Sequence, residues 1–227
     1  MQETGARFLS FSGRGACAAL WVALVTGCGG TLPKVDPYAT LLPAGVVPVD
    51  RTVHFSAASL KSETAHLVVG ANFVSYVEVW TKLNEQAEQG PIPFSSRAVM
   101  LEMSAQWSPA KTTGMVVTSL QKHFKDVVVV DDFVDARAKG AKWIVMFDHA
   151  FVQPSWVTTT WTNTTTIDLL DGSIRRVAGA SFSEVKHYDE GVGEAAALRI
   201  TRNLGEDVLR SVNGALVQFE AKLAATR

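Results

Sequence analysis

The chain has 227 residues, 21 Lys and Arg against 22 Asp and Glu, and 47% hydrophobic residues. That length suits one domain or two small ones, and the apolar share is too high for a disordered chain. A net charge of -1 leaves no basic footprint for DNA or RNA, so nucleic acid is not an expected partner.

Arg7 and Arg14 make a basic lead, and Ala16 to Val25 follows as about ten apolar residues. Roughly twenty are needed to span a bilayer, so the run reads as a processing signal. It ends in Val25-Thr26-Gly27-Cys28, followed by Gly29-Gly30. This resembles a bacterial lipoprotein signal peptide with its lipobox. The resemblance implies that the Cys28 thiol receives a diacylglyceryl group. Cleavage then falls between Gly27 and Cys28, and the new amine is acylated. Three acyl chains exceed the two signals that stable anchoring needs. Gly29 is not Asp, which by the same resemblance implies the outer membrane, periplasmic leaflet.

The cysteines agree with this. Only Cys17 and Cys28 occur, and Cys17 lies inside the segment to be removed. The mature chain then has no internal disulfide and no thiolate for a metal site. It keeps 19 basic and 21 acidic residues, because Arg7, Arg14 and Glu3 leave with residues 1–27.

Residues 28–50 read as a lipid-anchored tether. Pro33, Pro37, Pro43, Pro48 and Gly45 interrupt them, which favours extended chain with a reach of tens of Å. The folded domain is expected over 51–227. Val68 to Trp80 fits a strand or the start of a helix ending near Gln89-Gly90. Ala98 to Met103 reads as a short strand. Ser108-Pro109 opens a helix whose Met115, Val116, Leu120 and Phe124 share a face. The four valines Val127 to Val130 read as a strand buried on both faces. Asp131-Asp132 caps a short helix, Phe133 to Lys139, which Gly140 ends.

Three strands follow: Lys142 to Val152, Trp156 to Leu169, and Ile174 to Val185, the last two joined by an Asp171-Gly172 hairpin turn. Ala195 to about Leu223 is a long amphipathic helix, with Leu204, Val208, Val212 and Leu216 on one stripe. The expected fold is therefore α/β, of the α+β sandwich kind. It has a mixed sheet with a three-stranded antiparallel meander, packed helices and a long C-terminal helix.

The stretch Val127 to Ser183 resembles the α/β module of periplasmic lipoproteins of the YajG, CsgG and TolB N-terminal type. Gly140-Ala141-Lys142-Trp143 stands where that group often has Gly-Ala-Asp-Tyr. Asp168-Leu169-Leu170-Asp171-Gly172 stands where it has Asp-x-x-x-Gly. The likeness is one of topology more than motif, and it implies a periplasmic domain.

No catalytic or metal constellation emerges. The five His have no ligand spacing. Asp148 and His149 are neighbours in a strand, so their side chains face opposite sides. Gly191-Val192-Gly193-Glu194-Ala195-Ala196 has the form of a dinucleotide turn, but polar residues precede it and one helix follows, so it reads as a loop feeding a helix. Asp131, Asp132 and Asp135 suit helix capping better than a calcium loop. No cofactor, metal or catalytic residue is expected. The function that fits is a binding or assembly component of the envelope; the alternative is an envelope hydrolase with an unrecognised site.

The Thr run from Thr158 to Thr166 is the unusual feature. Alternation with Trp161 and Ile167 suggests one exposed face. That partly exposed face reads first as a solvated β surface; alternatively, an edge strand there, with Trp156, Thr160, Trp161 and Thr162 as its contacts, would dock an envelope protein or a second copy by strand addition.

Overall fold

The computed structural model describes residues 34–39, 41–42, 48–50, 55–89, 97–152, 160–188 and 194–225. The expected signal, Gly27, Cys28 and Trp156 lie outside them.

A six-stranded mixed sheet organises the domain, in the order β1-β6-β5-β4-β2-β3. The strands are β1 (Val49–Asp50), β2 (Thr64–Val69), β3 (Asp126–Val129), β4 (Trp143–Val152), β5 (Thr160–Asp171) and β6 (Arg175–His187). The helices are α1 (Ala57–Leu60), α2 (Ala71–Gln89), α3 (Arg97–Gln106), α4 (Pro109–Gln121), α5 (Phe133–Ala138) and α6 (Glu194–Ala225). β2 pairs in parallel with β3 and β4, while β4, β5 and β6 form the antiparallel meander. The sandwich class, the meander and the long last helix are as the pattern predicts.

Chain direction explains the two layers. From β2 the chain moves outward to β3 through α2, α3 and α4, then back across β2 to β4 through α5. Crossovers of one hand, taken in opposite directions, put their helices on opposite faces. One face accordingly carries α2, α4 and α6 over Leu67, Val145, Phe147, Ile167 and Leu169. The other carries α5, through Phe133 and Ala136, over Val68, Ile144, Met146 and Leu170.

Several expectations need correction. Ala98 to Met103 is helical, within α3. A six-residue apolar run carries too little periodicity to separate the two states, and its Ala, Met, Leu and Glu are strong helix formers. Trp80 Nε1 on α2 donates to Ser104 O at 2.8 Å and fixes the pair. The 68–80 ambiguity resolves as the helix, since α2 runs from Ala71 to Gln89 and only Val68 and Val69 belong to a strand, the end of β2. The valines of β3 form the outermost strand, not a doubly buried one, and Val128 is 36% exposed. The doubly buried strand is β2, where Ala65 to Val69 are all inside.

The hairpin loop is one residue longer than a two-residue Asp-Gly turn. Asp171 Oδ1 accepts from Ser173 N at 2.9 Å and Arg175 N at 3.1 Å, and Ile174 stands at φ 59°. A positive φ at a β-branched residue is strained; packing of Ile174 against the α5-side core holds it there.

The tether prediction fails over its second half. Tyr38, Leu41 and Leu42 are buried in the α5-side core. Asn72 receives Val35 N at 2.9 Å and donates to Val35 O at 2.9 Å, and Ala71 N donates to Pro37 O at 3.0 Å. Val49 and Asp50 pair with Arg175 and Arg176. Prolines exclude a helix from this segment, but they leave its carbonyls and side chains able to dock.

Candidate functional site

The Thr run splits by parity, as a strand must. Trp161, Asn163, Thr165 and Ile167 face α6. Thr160, Thr162, Thr164 and Thr166 face away, opposite His187, Val185, Ser183 and Ser181 of β6. Hydroxyl pairs bridge the strands, with Thr164 Oγ1 to Ser183 Oγ at 3.0 Å and Thr166 Oγ1 to Ser181 Oγ at 3.4 Å. Thr160 Oγ1 lies 3.0 Å from His187 Nδ1. Ser181, Ser183 and Val185 are exposed, so the hydroxyl-rich face exists.

A free edge does not run along it. From Thr162 to Leu170, β5 pairs with β4 along one side and β6 along the other, so Thr162 stands in an interior strand, while Thr160 and Trp161 are paired with β6 alone among the described residues. Strand addition to β5 is therefore excluded from Thr162 onward. Alternation reports which face a residue occupies; pairing order decides whether a strand is an edge. Nor is Trp161 a free anchor. It stacks on Phe151 at 4.6 Å, and Phe151 lies 5.3 Å from Trp107. Beyond Arg176, β6 has no second neighbour among the described residues, and it carries the outer edge.

Asp148 and His149 do face opposite sides. Asp148 caps α2. Its Oδ1 accepts from Phe73 N at 3.0 Å and its Oδ2 from Asn72 Nδ2 at 2.7 Å. Burial pushes its carboxyl above the usual range, against these hydrogen bonds. Gly70 makes room, since a Cβ there would lie 2.5 Å from Asp148 Cβ.

Asp168 lies on the same face. Tyr38 Oη donates to its Oδ2 at 2.6 Å, and Arg176 Nη1 stands 3.6 Å away. Burial raises the Asp168 pKa, while Tyr38 and Arg176 hold it down. Burial, then the Asp168 charge, pushes the Tyr38 phenol far up, so it is a permanent donor. These contacts fasten the N-terminal segment to the sheet. Sequence reasoning did not find this cluster, in which Tyr38 and Asp168 lie 130 positions apart.

His149 is fully buried under α6. Its Nδ1 meets Thr165 Oγ1 at 2.9 Å, and Thr165 Oγ1 meets Ser211 Oγ at 2.9 Å. Burial pulls its pKa down to about 4. The folded state thus binds fewer protons than the unfolded one. This contribution is present above the unfolded value near 6.5 and is lost as pH falls from there towards 4. The loss amounts to about 3 kcal/mol. Urea unfolding at pH 7.5 and 4.5 should show it in the native chain and not in His149→Leu. Equal pH slopes in the two proteins would refute the assignment.

The acidic cluster behaves as a cap. Asp132 Oδ1 accepts from Asp135 N at 2.7 Å, and Asp135 pairs with Lys139 at 2.7 Å. Among the described residues no His, Cys, Asp or Glu group is arranged to hold a metal, and no helix is long and apolar enough to cross a membrane.

The class defined by these observations is an α/β domain with a mixed sheet, closed on one face by a docked N-terminal segment. No family model matches the chain, and no curated protein matches it in sequence. Similar solved structures include a PelC dodecamer from Paraburkholderia phytofirmans. It has 12% identity and TM-score 0.32, over 67% of this chain and 89% of that one. A hypothetical protein from Chlamydia trachomatis has 8% identity and TM-score 0.33, over 73% and 99%. A minor lipoprotein from Acinetobacter baumannii has 8% identity and TM-score 0.22, over 68% and 93%. Likeness at this level transfers no function.

Proposed function

We propose that the chain is a bacterial envelope lipoprotein, held on the periplasmic leaflet of the outer membrane by acylated Cys28, and that it binds a partner rather than transforming a substrate. The observation that carries this reading is the order of basic lead, apolar Ala16 to Val25, and Val25-Thr26-Gly27-Cys28. The docked segment supports a particular geometry. Val35 is already hydrogen-bonded to Asn72, so only residues 29–34 are left as a link. Seven peptide steps span at most about 25 Å. The domain then works close to the bilayer, where a tethered surface reaches a weak partner at high effective concentration.

Binding is favoured over hydrolysis because Asp148 and His149, the adjacent buried acid and imidazole, point to opposite faces. Asp148 caps a helix and His149 is sealed under α6. The partner is another envelope protein or a second copy of this chain, and a strand added to the sheet would join an outer strand, β6 or β3, rather than β5.

Cells expressing Cys28→Ser should yield a chain that keeps residues 1–27 and takes up no clickable fatty acid. The native chain should be labelled and should sediment with outer-membrane fractions. Labelled Cys28→Ser would remove the anchor assignment; native protein in inner-membrane fractions would remove the location.

A further inference from the structure

His149 on β4, Asn163 on β5 and Glu184 on β6 stand on three consecutive strands and face α6. His149 and Asn163 are fully buried. Yet His149 Nε2, both polar atoms of the Asn163 amide, and Glu184 Oε2 have no protein partner. An amide sealed from solvent with neither atom bonded is a state folded chains do not keep. Something small and polar completes it.

Strand geometry sets the spacing. Asn163 lies directly opposite Glu184, and His149 directly opposite Thr165, which is two residues along β5 from Asn163. Opposite residues have Cβ atoms about 5 Å apart, and same-face neighbours along a strand lie about 6.7 Å apart. Two hydrogen bonds through one water span nearly that gap, about 5.6 Å. The lid over this patch is polar as well, with Ser211 bonded to Thr165, and Tyr188 Oη donating to Asp207. The next turn of α6 is different. A Cβ at Gly214 would meet Phe182 Cδ2 at 2.8 Å, so there the helix lies tight and dry on the sheet.

We infer that the seam between α6 and strands β4–β6 encloses a small cluster of ordered water that links His149 Nε2, the Asn163 amide and Glu184 Oε2. The bonding closes chemically. Asn163 Nδ2 donates to water, and water donates to Asn163 Oδ1 and to the Glu184 carboxylate. His149 Nε2 donates or accepts according to which ring nitrogen carries the proton. α6 is then seated on a dry half and a hydrated half.

Water-selective ROE spectra of the 15N-labelled full chain test this. Cross-peaks at the water frequency are expected on the Asn163 side-chain amide and on the backbone amides of Phe151 and Glu184. In Asn163→Leu the backbone cross-peaks should be lost. Native spectra without such peaks would overturn the inference. So would crystallographic density showing Asn163 bonded directly to Glu184, or a solute larger than water bridging the three groups.

Discussion

Thr162→Pro should lower the melting temperature by on the order of 10 °C or leave no cooperative transition at all. Thr162 lies opposite Val152 on β4 and Val185 on β6. Proline removes one ladder N–H, and its ring intrudes on an interior strand, where proline is essentially not found. The cost is about 3 kcal/mol or more, a large part of a typical domain's stability. Thr162→Val keeps the N–H and the β-branch and should melt within a few degrees of the native chain. The outer strand supplies the contrast. Along β6 successive N–H groups point alternately inward to β5 and outward. Of Val185→Pro and Lys186→Pro, one therefore meets an outward N–H and should be tolerated. Circular dichroism melts of the four variants decide the matter. A Thr162→Pro chain as stable as Thr162→Val would mean that β5 is an edge after all.

Which face a β5 side chain occupies is legible in the sequence; which strands flank β5 is not. The alternation of Thr160, Thr162, Thr164 and Thr166 identified a hydroxyl face, because side-chain parity is a local property. That β5 is interior depends on β4 and β6 both choosing it as a neighbour, and nothing in the Thr pattern encodes their choice. The same division runs through the molecule. Asp132 and Gly140 bracket α5 legibly: the cap accepts Asp135 N, and Gly140 ends the helix at φ 69°. The stripe of Leu204, Val208, Val212 and Leu216 announces α6, because the period holds over many turns. The run Val127 to Val130 suggested a buried strand, yet its first three valines form β3 at the sheet's rim, since hydrophobicity does not report strand order.

The glycines beside the buried carboxylates were equally silent. Gly70 and Gly179 leave room for Asp148 and Asp168: a Cβ at Gly179 would come within 2.1 Å of Asp168 Oδ1. These packing relations exist only after distant strands and segments have met. The polar seam is similar. Nothing in the sequence pattern marks Asn163, and its unpartnered amide becomes visible once α6 is laid over the sheet.

Tyr38→Ala is expected to destabilise the domain by about 4 kcal/mol. The ring is buried, stacks against Phe133 at 6.1 Å, and is the aromatic centre of the segment that covers the α5-side core. Its hydroxyl is the short-range donor to Asp168, whose other partner, the cation Arg176, stands 3.6 Å away and is shared with Asp50. Tyr38→Phe separates the two roles. It keeps the ring and removes the donor, at a cost of about 1–3 kcal/mol.

The two variants should also differ in pH response. Burial already raises the Asp168 pKa in the fold, and Tyr38 opposes the rise. Without the hydroxyl the folded value climbs further. A group with a raised folded pKa contributes stability below its unfolded value and loses it as pH rises through the folded value. The deficit of Tyr38→Phe should therefore be larger at pH 7 than near pH 4, whereas the ring-loss part of Tyr38→Ala should persist at both. Urea midpoints at the two pH values measure this. A Tyr38→Ala chain within about 1 kcal/mol of the native one would return residues 34–42 to the status of spacer. A pH-independent Tyr38→Phe deficit would show that the phenol does not govern Asp168.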